Sequence, residues 1–408
     1  MQVANRLNPI HEYYFSQKLR EIEALNQQGE PVINLGIGSP DLPPHPEVIK
    51  VLQEESGKPQ VHGYQGYKGV KALRDAMAGW YHRWYGVQLN ADAEVLPLIG
   101  SKEGIMHVCM TFLNEGDVAL VPNPGYPTYR SAVQLAGGTC VDYELKEEAG
   151  WAPDFDELEK VVEDYKSGKI AFAPNPNGEA AIKLMWVNYP HMPTGQLPTD
   201  ELFQKLIAFG KKHNILICHD NPYSFILNDA PMSLLSVAGA KEIALELNSL
   251  SKSHNMAGWR VGMLCGNREN IDSVLRFKSN MDSGMFLPLQ LAAAKALRLD
   301  KDWHEELNEV YRKRREKVFR LLDALNCVYA TNQAGMFVWA KIPAQYQNGF
   351  ELSDEVLNKA KVFITPGGIF GSAGDGYVRV SLCNTENNFE KAIERIIKAL
   401  KAHAVDAV

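Results

Sequence analysis

Cysteine is scarce in this chain, 6 among 408 residues. The six stand apart, at positions 109, 140, 218, 265, 327 and 383. That spacing fits neither a metal-binding cluster nor a disulfide framework, so thiols in a reducing cytoplasm are expected. Long hydrophobic runs are lacking too. The longest are strand-length, which argues against a transmembrane helix. The first residues, MQVANRLNPIHEYYFSQKL, have neither the charged start nor the apolar core of a secretory signal. An excess of one charge is small: the net charge is −7, with acids and bases mixed along the chain. Nothing in it calls for nucleic acid or a membrane surface, and Arg312–Lys317 reads as a solvated helix face. There is no internal repeat and no low-complexity tract. What the chain does have is apolar composition, 45 % over 408 residues. That suffices for a large core and more than one domain.

The most informative stretch is Leu247–Gly262, LNSLSKSHNMAGWRVG. The apolar run Ile243–Leu247 reads as a short buried strand feeding into it. Ser249, Ser251, Lys252 and Arg260 follow within twelve residues, Lys252 in a Ser/Asn-rich turn and Arg260 just before a second strand, Val261–Leu264. An amine beside hydroxyls and a guanidinium suits a ligand with an aldehyde and a phosphate. The lysine can form a Schiff base, and the hydroxyls and arginine can hold phosphate oxygens.

Other segments add chemistry. Val32–Gly38 runs into a glycine turn at Gly36 and Gly38 that permits close backbone approach or positive φ. Val70, Leu73, Met77, Trp80 and Tyr81 recur at helical spacing and face a core. The strand Val95–Ile99 leads to Gly100-Ser101-Lys102-Glu103-Gly104, a helix start of the kind that binds anions. Lys102 there suits either a phosphate or the distal carboxylate of an acidic substrate. The strand Val118–Pro122 is followed by Asn123-Pro124-Gly125-Tyr126-Pro127, whose prolines hold Tyr126 rigid. The charged segment Asp154–Lys169 reads as helical, and Ala173–Gly178 as an irregular excursion. The strand Leu184–Asn188 enters a proline turn, YPHMPTG. Thr199 or Asp200 caps a helix, Glu201–Lys212. The strand Ile215–Cys218 precedes His219-Asp220-Asn221-Pro222-Tyr223, placing a carboxylate at a strand's C-terminal end. His219 reads as a packed residue. Near the end, Gly335–Ile342 and Tyr377–Ser381 read as strands, Asp354–Lys361 and Glu390–Ala402 as helices. Arg379 lies on the Tyr377–Ser381 alternation.

Ser249-x-Ser251-Lys252, a short spacer and Gly258-x-Arg260-x-Gly262 resemble the active-lysine segment of the class I and II aminotransferases. These are fold type I enzymes dependent on pyridoxal phosphate. The resemblance covers the chain from about Val32 to the C-terminus, with five motifs in family order, and its spelling is closest to the diaminopimelate, aspartate and alanine branch. It implies an α/β fold: a large domain with a mostly parallel seven-stranded sheet, plus a smaller α/β domain. The domains expected are an N-terminal arm and helix (1–30), part of the small domain and a linker (31–50), the large cofactor domain (51–290) and the C-terminal small domain (291–408). Residues 1–30 either pack on their own domain or cross to a partner subunit.

The residue roles follow from the same resemblance. Lys252 carries the Schiff base and moves the α-proton. Asp220 holds the ring nitrogen and Tyr223 the phenolic oxygen, while Tyr126 stacks on the ring. Ser101, Lys102, Ser249, Ser251 and Arg260 lie near the phosphate. Tyr64 reaches the phosphate of the other subunit, which implies a homodimer with composite sites, and Ser283-Gly284 resembles a segment approaching the partner's site. Arg379 clamps the substrate α-carboxylate, with Gly38 as a backbone contact, Ile37 as an apolar wall and Phe370 at the entrance. No metal is implied. One departure stands out: Met192 occupies the place of the asparagine that normally bonds the phenolic oxygen. A thioether is a weak acceptor and no N–H donor, so Met192 is left out of the polar contacts and Asn188 is taken as a cofactor-region residue that holds the turn. The implied activity moves the α-amino group of an L-amino acid to a 2-oxo acid, with 2-oxoglutarate as the expected acceptor. Aspartate, alanine or a diaminopimelate-like compound is the expected donor. A carbon–sulfur β-lyase shares these residues. A non-catalytic regulator on the same fold would carry an added DNA-binding domain, for which there is no spare length.

Overall fold

The computed structural model describes residues 1–10, 12–29, 31–169 and 180–406, with side chains as far as residue 399. Ala173–Gly178, read above as an excursion, lies outside the described residues. The strands in chain order are β1 (Ile33–Asn34), β2 (Val95–Leu98), β3 (Val118–Asn123), β4 (Thr139–Glu144), β5 (Ile182–Asn188), β6 (Leu216–Asp220) and β7 (Ala244–Ser249). They continue with β8 (Gly262–Cys265), β9 (Val328–Tyr329), β10 (Phe337–Lys341), β11 (Val362–Phe363), β12 (Thr365–Pro366) and β13 (Tyr377–Ser381).

Seven of these form one sheet in the order β2-β8-β7-β6-β5-β3-β4. It is parallel from β4 through β7, and β8 runs antiparallel to both neighbours. Every residue of β3 and β7 is buried, as expected for strands covered on both faces. Alternate residues divide between two cores. Leu96, Val121, Trp186 and Leu247 pack under helices Ser101–Phe112, Pro127–Leu135 and Arg268–Lys278. Val95, Leu120, Val187 and Met263 pack under Lys71–Tyr85 and Asp200–His213. Thr199 caps the last of these, its hydroxyl accepting from Leu202 N at 3.1 Å.

A second, antiparallel sheet, β12-β13-β10-β9, and the short pair β1-β11 belong to a smaller α/β unit with helices Lys301–Ala324, Gly349–Ala360 and Glu386–Asp406. The fold is therefore the two-part α/β architecture expected, including the seven-stranded sheet. Two features differ from the sequence reading. Helix Pro127–Leu135 and strand β4 were not anticipated; β4, TCVDYE, is a half-exposed edge strand without an apolar run. The boundaries expected at residues 50 and 290 fall inside helices Pro46–Ser56 and Leu287–Ala296, which pack against each other. Among the described residues no helix is long and apolar enough to cross a membrane.

Candidate active site

A cavity of about 440 Å³ opens at the carboxyl ends of β5, β6 and β7, where Asn188, Asp220 and Ser249 line it. This is the crevice in which open α/β sheets bind ligands. Lys252 reaches it from a single helical turn, Leu250–Ser253, where the sequence suggested a loop. Its Nζ donates to Gly38 O at 2.6 Å. Burial holds this amine below its ordinary value, and the Arg379 and Arg260 charges push the same way. A neutral amine is the form that can attack a carbonyl or take a proton. Gly38 does not need its glycine for φ. It needs it for space, because a Cβ would run into the Phe337 ring.

Arg260 lies across the cavity floor in the left-handed region (φ 57), its Nη1 donating to Ala257 O at 2.9 Å. The pairing Leu98↔Gly262 brings it beside the start of helix Ser101–Phe112. Gly100, at φ 85, lets the guanidinium pass so closely that a Cβ would collide with it. The free N–H groups of that helix start, Arg260 and the hydroxyls of Ser101, Ser249 and Ser251 compose an anion cradle. Lys102 stands at its rim, with Nζ 5.3 Å from the Tyr13 ring centre. Burial and the nearby Arg260 charge lower its pKa.

Asp220 is the last residue of β6. Tyr129 donates to its Oδ2 at 2.9 Å and is itself stacked on Trp186 at 5.2 Å. Oδ1 is buried without a partner. Burial pushes this carboxyl up to about 6, against the pull of the Tyr129 hydrogen bond and the nearby His219. Asn188 holds the proline turn: its Nδ2 donates to Asp220 O at 2.6 Å and its Oδ1 accepts from Met192 N at 2.8 Å. Tyr223 meets Phe337 edge-on at 6.0 Å, and burial drives its hydroxyl pKa up.

Arg379, on β13, is only 4 % exposed. Its guanidinium carbon sits 3.8 Å from the Phe337 ring centre and 4.7 Å from that of Phe370. Nη2 donates to Gly36 O at 2.9 Å, and Nη1 lies 3.2 Å from Met192 Sδ. Met192, left out of the cofactor's polar contacts, has a polar contact of another kind: its thioether is the acceptor facing the arginine. Burial brings Arg379 down to about 10, and no carboxylate among the described residues pairs with it.

Of the residues given a catalytic, cofactor or substrate contact in the sequence reading, all but Tyr64 line this one cavity, and Ser283-Gly284 also lies outside it. Tyr64 is 94 % exposed on a loop. Sequence reading missed Tyr13, Phe15, Ser16 and Leu19, which cross the cavity from the start of the N-terminal helix, as well as Tyr129, while Phe337, expected to suit an apolar or aromatic substrate side chain, lines the cavity under Arg379. Tyr129 was within reach: it lies three residues after Tyr126 in a helix opened by Pro127, a spacing that puts both on one face. Nothing local marks the N-terminal residues. Glu103, His107 and Asp282 are close enough together to hold a cation, but Asp282 is engaged by Lys278 Nζ at 2.5 and 2.6 Å.

The profile of the aminotransferase class I and II family matches residues 30–396. The chain belongs to that family. The chain is 39 % identical to the LL-diaminopimelate aminotransferases of Dehalococcoides mccartyi and Halothermothrix orenii, over 97 % of its length and 98 % of theirs. Its fold superposes on the structure of BacF from Bacillus subtilis with a TM-score of 0.89, at 35 % identity and 98 % coverage of both chains. It is a pyridoxal-phosphate-dependent aminotransferase that moves amino groups between amino acids and 2-oxo acids. The aminotransferase cavity fits the cofactor on its own chemistry. The unpartnered Asp220 Oδ1 suits a protonated ring nitrogen, the cradle suits a phosphate dianion, and the Lys252 amine suits an aldehyde.

Proposed function

We propose that this aminotransferase binds donor and acceptor in turn at one place, with Arg379 clamping the α-carboxylate and Lys252 moving the α-proton on and off Nζ. The single observation that carries this is the buried, acid-free guanidinium of Arg379 in the same cavity as the Lys252 amine. Bound pyridoxal phosphate supplies an aldehyde for amine condensation and a ring that accepts electrons. Asp220 keeps the ring-nitrogen proton in place, and Tyr223 donates to the phenolic oxygen. Ser101, Ser249, Ser251 and Arg260 hold the phosphate, and Tyr126 covers one ring face. Gly38 and Ile37 form the wall beside the carboxylate, with Phe370 beneath it.

Lys102 has no acid partner among the described residues and sits beside the cradle, which favours a distal carboxylate in at least one substrate, 2-oxoglutarate as acceptor and aspartate or glutamate as donor. A half-reaction panel tests this by following the visible spectrum of the loaded enzyme with each amino acid. Lys102→Ala should slow dicarboxylates at least ~10-fold more than alanine. If it instead weakens cofactor retention and slows every donor alike, Lys102 is a phosphate ligand and the acidic substrate is lost.

A homodimer with composite sites is the assembly we propose. Tyr64, Tyr67, Met281 and Phe286 are all exposed. Their two segments touch, with His62 stacked on Phe286 and residue 284 against the backbone of residues 65 and 66. Such a patch is the mark of a protein–protein contact. Mixing Tyr64→Ala and Lys252→Ala chains should give hybrid dimers with one intact site, and cofactor affinity above that of Tyr64→Ala alone. The domain boundaries belong at helix ends, near residues 45 and 297. The six free thiols support a cytoplasmic home.

A further inference from the structure

Behind the end of β6 lies a polar cluster that none of these roles uses. The register His219↔Glu246 sets an imidazole beside a carboxylate on neighbouring strands, Nδ1 2.8 Å from Oε2, both side chains fully buried. Glu246 also accepts from the Tyr81 hydroxyl at 2.9 Å, the Ser233 hydroxyl at 2.9 Å, Leu234 N at 2.8 Å and Asn221 Nδ2 at 3.4 Å. On its other side His219 Nε2 meets Tyr189, 2.8 Å from the carbonyl oxygen and 3.3 Å from the amide nitrogen. Phe203 closes the ring's edge at 5.2 Å.

The position of this pair is what gives it meaning. His219 immediately precedes Asp220. Tyr189 immediately follows Asn188 and starts the turn whose Met192 faces Arg379. One buried imidazole therefore joins the strand end that presents the carboxylate to the turn that borders the carboxylate clamp. An apolar pair of the same volume would hold the core together at least as well, because burying a carboxylate and an imidazole is costly. The reason for keeping the pair is then what it orients.

We propose that His219, held by Glu246, is a positioning residue that keeps Asp220 charged and aimed at the ring nitrogen. This rests on the reading of Asp220 as the partner of that nitrogen. The electrostatics agree: burial raises the Asp220 pKa, and His219 acts in the opposite direction.

The decisive measurement is the ¹⁵N chemical shift of ring-labelled cofactor bound to the intact enzyme, which separates a protonated from an unprotonated ring nitrogen. His219→Gln should move it from the pyridinium toward the pyridine position. Glu246→Gln, which keeps the shape and removes the carboxylate's charge, should move it the same way and guards against a poorly folding histidine variant. Turnover should fall at least ~10-fold in both. With N-methylated cofactor, whose ring charge is fixed, each variant should match wild type within about 2-fold. An unmoved shift, or an equal loss with both cofactors, would reduce the pair to a structural strut and overturn the proposal. Asp220→Asn separates the two readings. If it too leaves the shift in place, the Asp220 assignment falls; if it moves the shift while the His219 and Glu246 variants do not, only the positioning role falls.

Discussion

Replacing Asp220 with asparagine should strengthen the cofactor-free fold while crippling the enzyme. Burial raises the carboxyl from 3.8 to about 6. Below about pH 3 it is protonated whether the chain is folded or not, and costs nothing. Between the two values the unfolded chain has released a proton that the folded chain still holds, so stability falls as pH rises. Above about pH 6 the cost is complete. A gap of about 2 units at 1.36 kcal/mol each comes to about 3 kcal/mol. The group is fully buried, so solvent screening takes little from this. Asparagine has the same shape and can still accept from the Tyr129 hydroxyl, so it escapes the penalty without leaving a cavity. Urea unfolding of the two cofactor-free proteins should agree near pH 3 and differ by about 3 kcal/mol near pH 8, with the variant more stable. Turnover of the loaded variant should fall by about 10²-fold or more, because a preorganised charge has been removed from the site. A stability difference that did not change with pH, or a variant weaker at pH 8, would refute the reasoning.

Lys252→Ala should abolish turnover and leave the fold intact, because the side chain lines a cavity rather than a core; borohydride reduction and peptide mapping of wild type should find cofactor on Lys252 alone. Arg379→Lys should lower kcat/KM about 10²–10³-fold for every amino acid alike, since a two-pronged donor is exchanged for a point charge, and a loss confined to certain side chains would count against an α-carboxylate role. Gly100→Ala should weaken cofactor binding by at least ~10-fold, as seen by fluorescence titration, because the residue sits at φ 85 and its Cβ would push Arg260 out of the cradle; unchanged affinity would detach Arg260 from the phosphate.

Lys252, Asp220 and Arg379 were readable because each combines a local pattern with a chemistry. A lysine stands after serines, a carboxylate ends an apolar strand, and an arginine sits on an alternating strand beyond a glycine loop. The large sheet was readable for a similar reason, since β3 is buried throughout and opens on an apolar run, Val118–Pro122. Strand β4 left no such run, because half of it faces solvent. Tyr13 and Phe15 were hidden for a different reason. Their helix looks amphipathic whether it packs on its own domain or on another, and only the tertiary arrangement turns them over the cavity. Met192 shows the limit of reading by departure alone. Losing an amide was visible in the sequence, but the arginine that its sulfur meets lies 187 residues away.

The cradle is built from two strands far apart in the chain. Leu98 must pair with Gly262 before Arg260 can lie beside the start of helix Ser101–Phe112. During synthesis the first half of this anion site therefore leaves the ribosome long before the second, and the amine of Lys252 comes with the second. Chains stalled anywhere before β8 should not retain pyridoxal phosphate, so the cofactor can reward a completed sheet but cannot seed one. A shortage of vitamin would then spare the early folding of nascent chains and be felt only once β8 has inserted between β2 and β7.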